Sequence, residues 1–281
     1  MAIGIVSPGF MGAALGGALR SGGARVVTTL QGRSARSGRL AEAAGLEVLG
    51  SIDDVTSAAE VILVVTPPGA ASDAAERIAD SARRTGGRPL VADLNAIAPT
   101  TVAAIEATLA AAGLDLVDGS ISGPPPTTRP GARIYLSGPR ADEIAALPWR
   151  DVRPVVVPGR TGRASAVKMC TGSVYKGVTA ILAQAMRTAD HYDVLDEVLE
   201  DLGDEADPGA VAVAATKAAR FAEEMREIAS AQRAAGLTPA LFEAFSEVYE
   251  DIAATDLANG DPETTSRDVP PGEVARRLRR P

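Results

Sequence analysis

The 281-residue sequence carries 28 basic and 36 acidic side chains, a net charge of -8; this balance favours solubility and argues against a nucleic-acid surface. Its 46% hydrophobic content lets one large domain or two ordinary ones bury a core. One cysteine and one histidine exclude a disulfide framework and a Cys-rich zinc site, so small molecules rather than metals are the expected partners, in a reducing cytoplasm.

The apolar opening lacks the basic flank of a signal peptide. No stretch reaches the roughly 18 uninterrupted apolar residues that span a bilayer, so a soluble chain without membrane contact is expected.

From residue 2 to about 160, short Val/Ile/Leu runs alternate with Ala-rich stretches of helical length. That rhythm predicts an α/β fold, a Rossmann-type doubly wound parallel sheet with crossover helices. Strands are expected at 3–6, 25–30, 61–65, 90–93, 115–118, 133–137 and 152–157. Several end in small or polar residues, Ser7, Thr66, Asn95 and Ser120, which a doubly wound sheet gathers at one crevice beyond the strands' carboxyl ends.

The first strand runs into "VSPGFMG", with Ser7, Gly9 and Gly12 at the three positions of a G-x-G-x-x-G fingerprint. In such a loop the first glycine allows a tight turn, the second lets backbone approach a pyrophosphate, and the third lets helix and strand pack closely. Serine fits the first position if it stays extended, as a following proline favours. A dinucleotide is the expected ligand, with Ser7, Gly9, Phe10, Met11 and Gly12 as loop residues. NAD-specific proteins place an acid at the end of the second strand to bind the ribose 2′-hydroxyl. Here "RVVTTLQGRSAR" ends without one, and Arg33 and Ser34 offer a guanidinium and a hydroxyl to a 2′-phosphate, so NADP is favoured over NAD.

Past Gly159 no strand is expected. Helical spacing covers about 163–190, 193–202, 208–235 and 239–258, an all-α C-terminal half with starts at Asp207-Pro208 and Thr238-Pro239. The expected division is a dinucleotide-binding domain over 1–161, a helical domain over 162–258 entered by a long interdomain helix, and a loosely held tail over 259–281. Lys168, Thr171, Gly172, Tyr175 and Lys176 share one face of the long helix. On that face Gly172 leaves room for substrate, and Lys176 could bind a substrate acid group. Cys170 reads as a small buried apolar residue and His191 as a surface or interface residue.

In order, these segments resemble the beta-hydroxyacid dehydrogenase superfamily, which includes 6-phosphogluconate dehydrogenase and 3-hydroxyisobutyrate dehydrogenase. Its G-x-G-x-M-G opening is matched by Ser7 to Gly12, and its "N-R-T/S" strand end looks like "GRS" at 32–34. "VVTPPGAA" at 64–71 is similar to its proline turn, which implies that Thr66 and Pro67 lie beside the cofactor. "ADLNAIAPTTV" at 92–102 is similar to its "D-x-S-T-x-x-P" segment, which implies Asn95 near the nicotinamide. "DGSISGPP" at 118–125 is similar to "D-A-P-V-S-G-G", which implies Ser122 and Gly123 against a substrate carboxylate, with Pro124 in place of the second glycine. "GRASAVKMCTG" at 162–172 resembles the catalytic segment, which implies Lys168 as general acid/base, with Thr171 and Gly172 where the family has asparagines.

The resemblance therefore implies an NADP-dependent oxidoreductase of 3-hydroxy acids or related alcohols, from a divergent branch with an atypical helical C-terminal domain. An NADPH-dependent imine reductase and a redox-silent NADP-binding protein are the alternatives. The helical half is too short to wrap a full active site, so a homodimer is expected.

Overall fold

Strands that are apolar on both faces organise the N-terminal part of the chain. The computed structural model describes residues 1–279. Six parallel strands, β1 (Ala2–Val6), β2 (Arg25–Thr29), β3 (Glu47–Leu49), β4 (Val61–Val64), β5 (Leu90–Asp93) and β6 (Leu116–Ser122), are followed by β7 (Ala132–Ser137) and β8 (Val152–Val156). They form one eight-stranded sheet in the order β3-β2-β1-β4-β5-β6-β7-β8, and β7 runs antiparallel to β6. The order reverses at β1, the switch point beside which such sheets bind ligands.

Alternate side chains go to opposite faces. Ile62, Val64 and Val91 pack with Ile52, Val55, Ile78 and Ile105 from α3 (Ile52–Ala58), α4 (Ala71–Thr85) and α5 (Pro99–Ala110). On the other face Ile3, Ile5, Leu63 and Leu90 meet Leu15, Leu19, Ala41 and Ile144 from α1 (Phe10–Ser21), α2 (Ala35–Ala43) and α6 (Ala141–Ala145). Burying one such Ile or Leu contributes about 1.5–3 kcal/mol, which is why these strands read as continuous apolar runs.

Two strands depart from the sequence expectation. β3 has no apolar run: Glu47 and Val48 are exposed, and this three-residue sheet edge is tied down by Arg25, whose guanidinium donates to Glu47 at 2.8 and 2.7 Å. β6 extends four residues past Asp118, so Ser120 lies inside the strand rather than at its end. Its polar side chains are buried because each finds a partner, Ser120 Oγ donating to Ala164 O at 2.8 Å.

The chain divides into two compact units, at Met169/Cys170 where the sequence suggested 161/162. Helix α7 (Arg163–His191) begins in the first unit and continues into the second. The second unit adds α8 (Leu195–Leu202), α9 (Pro208–Ala215), α10 (Ala218–Ala234), α11 (Ala240–Ala253) and α12 (Pro271–Arg277). Asp207 caps α9 by accepting from Ala210 N at 2.8 Å. The single helix expected over 208–235 is broken at Thr216 and Lys217, where Thr216 Oγ1 bonds back to Val213 O at 2.9 Å and no glycine or proline marks the stop. Helix α10 packs along α11, where Ser246 Oγ donates to Ala222 O at 3.0 Å and Phe221 meets Tyr249 edge to face at 5.4 Å.

The stretch after 258 is not the loosely held tail expected. Val274, Ala275 and Leu278 of the α12 segment are fully buried, Arg277 donates to Asp256 O at 3.1 Å, and Arg279 holds Asp190 through bonds of 2.7 and 2.9 Å. The last two residues of that stretch lie outside the described ones. Among the described residues no helix is long and apolar enough to cross a membrane.

Candidate active site

β1 delivers Ser7 and Pro8 to a turn closed by Gly9 N donating to Ser7 O at 2.8 Å, and α1 starts at Phe10 with Met11 behind it. Ser7 is not extended as expected. Its φ is +72°, so it retains the left-handed backbone that the fingerprint's first glycine supplies, despite Pro8. For an L-residue that conformation costs on the order of 1 kcal/mol. Gly12 is obligatory, because a Cβ there would sit 2.4 Å from Ser7 O. Gly9 faces open space, with nothing within 4 Å of an added Cβ.

The β2 end reaches the same loop. Gly32, at φ +71°, turns the chain so that Arg33 Nη2 donates to Ser7 Oγ at 2.6 Å. Ser34 caps α2, its Oγ accepting from Ser37 N at 3.2 Å. Partial burial, and then the charge of Arg77 on α4, lower the pKa of Arg33.

Beyond β4 and β5, Thr66 N donates to Asn95 Oδ1 at 2.6 Å, and Asn95 N and Nδ2 each donate to the Asp93 carboxylate at 2.9 Å. Burial, aided by the charge of Asp118 and opposed by the Asn95 bonds, raises the pKa of Asp93 to about 7. Pro67, exposed, leads into a 3-10 turn. The Thr66 hydroxyl is buried without a hydrogen-bond partner among the described residues. Such an orphan is costly unless a further group satisfies it.

At the end of β6, Ser122 pairs with Arg133 of β7, and Gly123 has φ +113°, strained for any side chain. Lys168 Nζ donates to Ile121 O at 2.7 Å, which fixes the ammonium one residue from Ser122. The lysine is aimed by a buried clamp that the sequence reading missed. Asp118 accepts from Gly162 N at 3.0 Å, Ser165 N at 3.1 Å, Ser165 Oγ at 2.5 Å and Ser137 Oγ at 2.7 Å. Its carboxylate thus occupies the positive end of the 29-residue α7, where first-turn N–H groups lack intrahelical partners. The available signal was polar residues, Asp118 and Ser137, at inward positions of otherwise apolar strands.

Thr171, Gly172 and Lys176 belong to the second unit. Lys176, expected to meet a substrate acid group, is ion-paired with Glu224 of α10, their side chains only 12% and 6% exposed, and its ammonium sits 5.0 Å from the Phe221 ring centroid. The space beside Gly172 is bounded by Lys176 Nζ at 3.5 Å and Ile228 Cδ1 at 3.7 Å from an added Cβ. Cys170 is exposed rather than buried, because it falls on the outer side of α7. Tyr175 is 73% exposed, and His191 is exposed with its ring against Tyr192 at 4.9 Å.

Residues 2–148 match the family model described as the NAD binding domain of 6-phosphogluconate dehydrogenase, which spans half of the chain. The chain belongs to that family. Residues 189–252 match a domain of unknown function, DUF1932. A curated relative, an uncharacterized 28.5 kDa protein of Methanothermus fervidus, is 24% identical over 63% of this chain and 66% of its own length. Among solved structures, a conserved protein of unknown function described as similar to 3-hydroxyacid dehydrogenases aligns at 28% identity and TM-score 0.65, covering 90% of this chain and 96% of its own. The Mycobacterium tuberculosis 3-hydroxyisobutyrate dehydrogenase with L-serine shares the fold at 20% identity and TM-score 0.69, covering 94% and 97%. So does a Streptomyces aurantiacus imine reductase, at 18% identity and TM-score 0.57, covering 94% and 98%.

A nicotinamide dinucleotide suits the residues of this NAD-binding domain. Gly9 leaves its backbone approachable, α1 has no acid in its first turn to compete with a pyrophosphate, and Thr66 holds a hydroxyl ready for a partner.

Proposed function

We propose that the protein is an NADP-dependent oxidoreductase that interconverts a small 3-hydroxy acid, or a related alcohol, with its carbonyl form. Lys168 is the general acid/base. The observation that carries this reading is the Lys168 ammonium at the carboxyl end of β6, next to Ser122 and Gly123 and anchored through Asp118.

Gly9, Phe10, Met11 and Gly12 would hold the pyrophosphate, Arg33 and Ser34 the 2′-phosphate, and Thr66, Pro67 and Asn95 the nicotinamide half. Bound there, the cofactor accepts or supplies the hydride. Ser122 and Gly123 hold the substrate acid group. As a neutral amine Lys168 takes the hydroxyl proton during oxidation, and as an ammonium it gives a proton to the carbonyl oxygen during reduction, so one group serves both directions. As an ammonium it also polarises the carbonyl before reduction. Preference for NADP is supported by the absence of an acid at the β2 end and by Arg33 in its place.

A homodimer is supported by Val174, Val178 and Ile181, which leave one face of α7 apolar and exposed at 62%, 54% and 58%.

The test is a screen of NADP- and NAD-linked oxidation across 3-hydroxy acids, sugar acids and amino alcohols, with reduction of cyclic imines alongside. The proposal expects NADP-linked turnover of at least one hydroxy acid. Turnover of cyclic imines alone, or cofactor binding with no turnover of any class, would replace it with one of the two alternatives.

A further inference from the structure

We propose that Ser7 is a cofactor-specificity residue, holding Arg33 in place to receive the 2′-phosphate of NADP. This rests on the NADP reading above and adds one residue's role to it.

Three non-glycine residues among those described have positive φ: Ser7, Asp151 and Asp193. Aspartate tolerates that region because its carboxylate can bond nearby backbone. Serine gains less there, and glycine would adopt the same turn without strain. What glycine lacks is the hydroxyl, which is 6% exposed at the residue level and accepts from Arg33 Nη2 at 2.6 Å. Backbone strain maintained at a ligand loop calls for a compensating role, and this bond is the one the structure offers.

The bond uses one of five guanidinium N–H groups and leaves the others for a phosphate. Without it, Arg33 would be a long, exposed side chain at the end of β2, and each rotamer frozen on binding would weaken the complex. Arg33 is not ion-paired with a carboxylate among the described residues, in a protein of net charge -8. A dianionic 2′-phosphate supplies the counter-ion it lacks, whereas a ribose 2′-hydroxyl does not.

The two roles open to Ser7 make opposite predictions for its glycine variant. A structural staple would lower the melting temperature when lost; a specificity device would leave the fold intact and change cofactor choice.

The experiment measures dissociation constants of NADPH and NADH by calorimetry, and the melting temperature of the cofactor-free protein, for wild type and Ser7→Gly. Ser7→Gly is expected to reduce the NADPH-over-NADH preference about tenfold, through NADPH alone, with a melting temperature equal to or above wild type. An unchanged preference in Ser7→Gly overturns the proposal. So does an equal loss for both cofactors with a lowered melting temperature, or a Ser7→Gly protein that does not fold. A wild-type protein without NADPH preference overturns the NADP reading and this inference together, and that outcome is recognisable before any variant is made.

Discussion

Arg33 and Lys176 both had the sequence credentials of a cation awaiting an anion, and the structure treats them differently. Arg33 lies against a neutral hydroxyl, with no carboxylate partner among the described residues. Lys176 lies against Glu224, which also accepts from Arg220 at 3.2 Å. A buried cation with a carboxylate partner is already satisfied, and recruiting it to a ligand would strand the carboxylate. The contrast teaches that spacing on a helix face identifies which cations are neighbours, while the nearest carboxylate decides which of them remains available.

The largest expected consequence is on the satisfied side. Glu224→Ala leaves Lys176 buried and without its counter-ion, and should cost about 3 kcal/mol of stability in urea unfolding. A Lys176→Met, Glu224→Leu double variant should recover most of that loss, because the buried pair's attraction is largely offset by its desolvation. If Glu224→Ala instead leaves stability unchanged and raises the substrate KM, Lys176 belongs to the ligand site and the contrast fails. Arg33→Ala should do the reverse. Exposed as it is, Arg33 adds under about 0.5 kcal/mol to stability, yet its loss should reduce NADPH-over-NADH preference by about 10- to 100-fold in binding assays.

The smallest effect is a pH dependence. Burial keeps Asp93 protonated in the folded protein up to about pH 7, well above the usual carboxylate range. Its contribution to stability is therefore full below the unfolded value and is lost as pH rises through the folded one. Melting temperatures measured from pH 5 to 7.5 should fall less steeply in Asp93→Asn than in wild type. Parallel profiles would place the titration elsewhere.

What the sequence made legible follows from where side chains find partners. β1, β4 and β5 could be read because both faces are apolar, and Gly12 because its Cβ would strike the Ser7 carbonyl. β3 could not, since its edge is held by an ion pair rather than by an apolar run. The second half of β6 was hidden for a related reason. Asp118 and Ser120 look like loop residues until Ser137, Ala164 and Ser165 are found facing them. The fingerprint loop was legible in position and misread in conformation, because the proline preference that favours an extended Ser7 lost to the turn that α1 and Gly12 require. Lys168 was legible from its resemblance to a family segment; the Asp118 clamp that orients it joins β6, β7 and α7 across 44 or more residues in three of its four bonds, beyond the range of any local pattern.

Whether Lys168 moves the proton while the loop around Ser7 holds the cofactor is decided by comparing wild type with Lys168→Ala in turnover of a hydroxy acid identified by the screen, together with the NADPH dissociation constant of each. Lys168→Ala is expected to lose kcat on the order of 10²- to 10⁴-fold with NADPH affinity nearly unchanged. Wild-type kcat in Lys168→Ala would contradict that role.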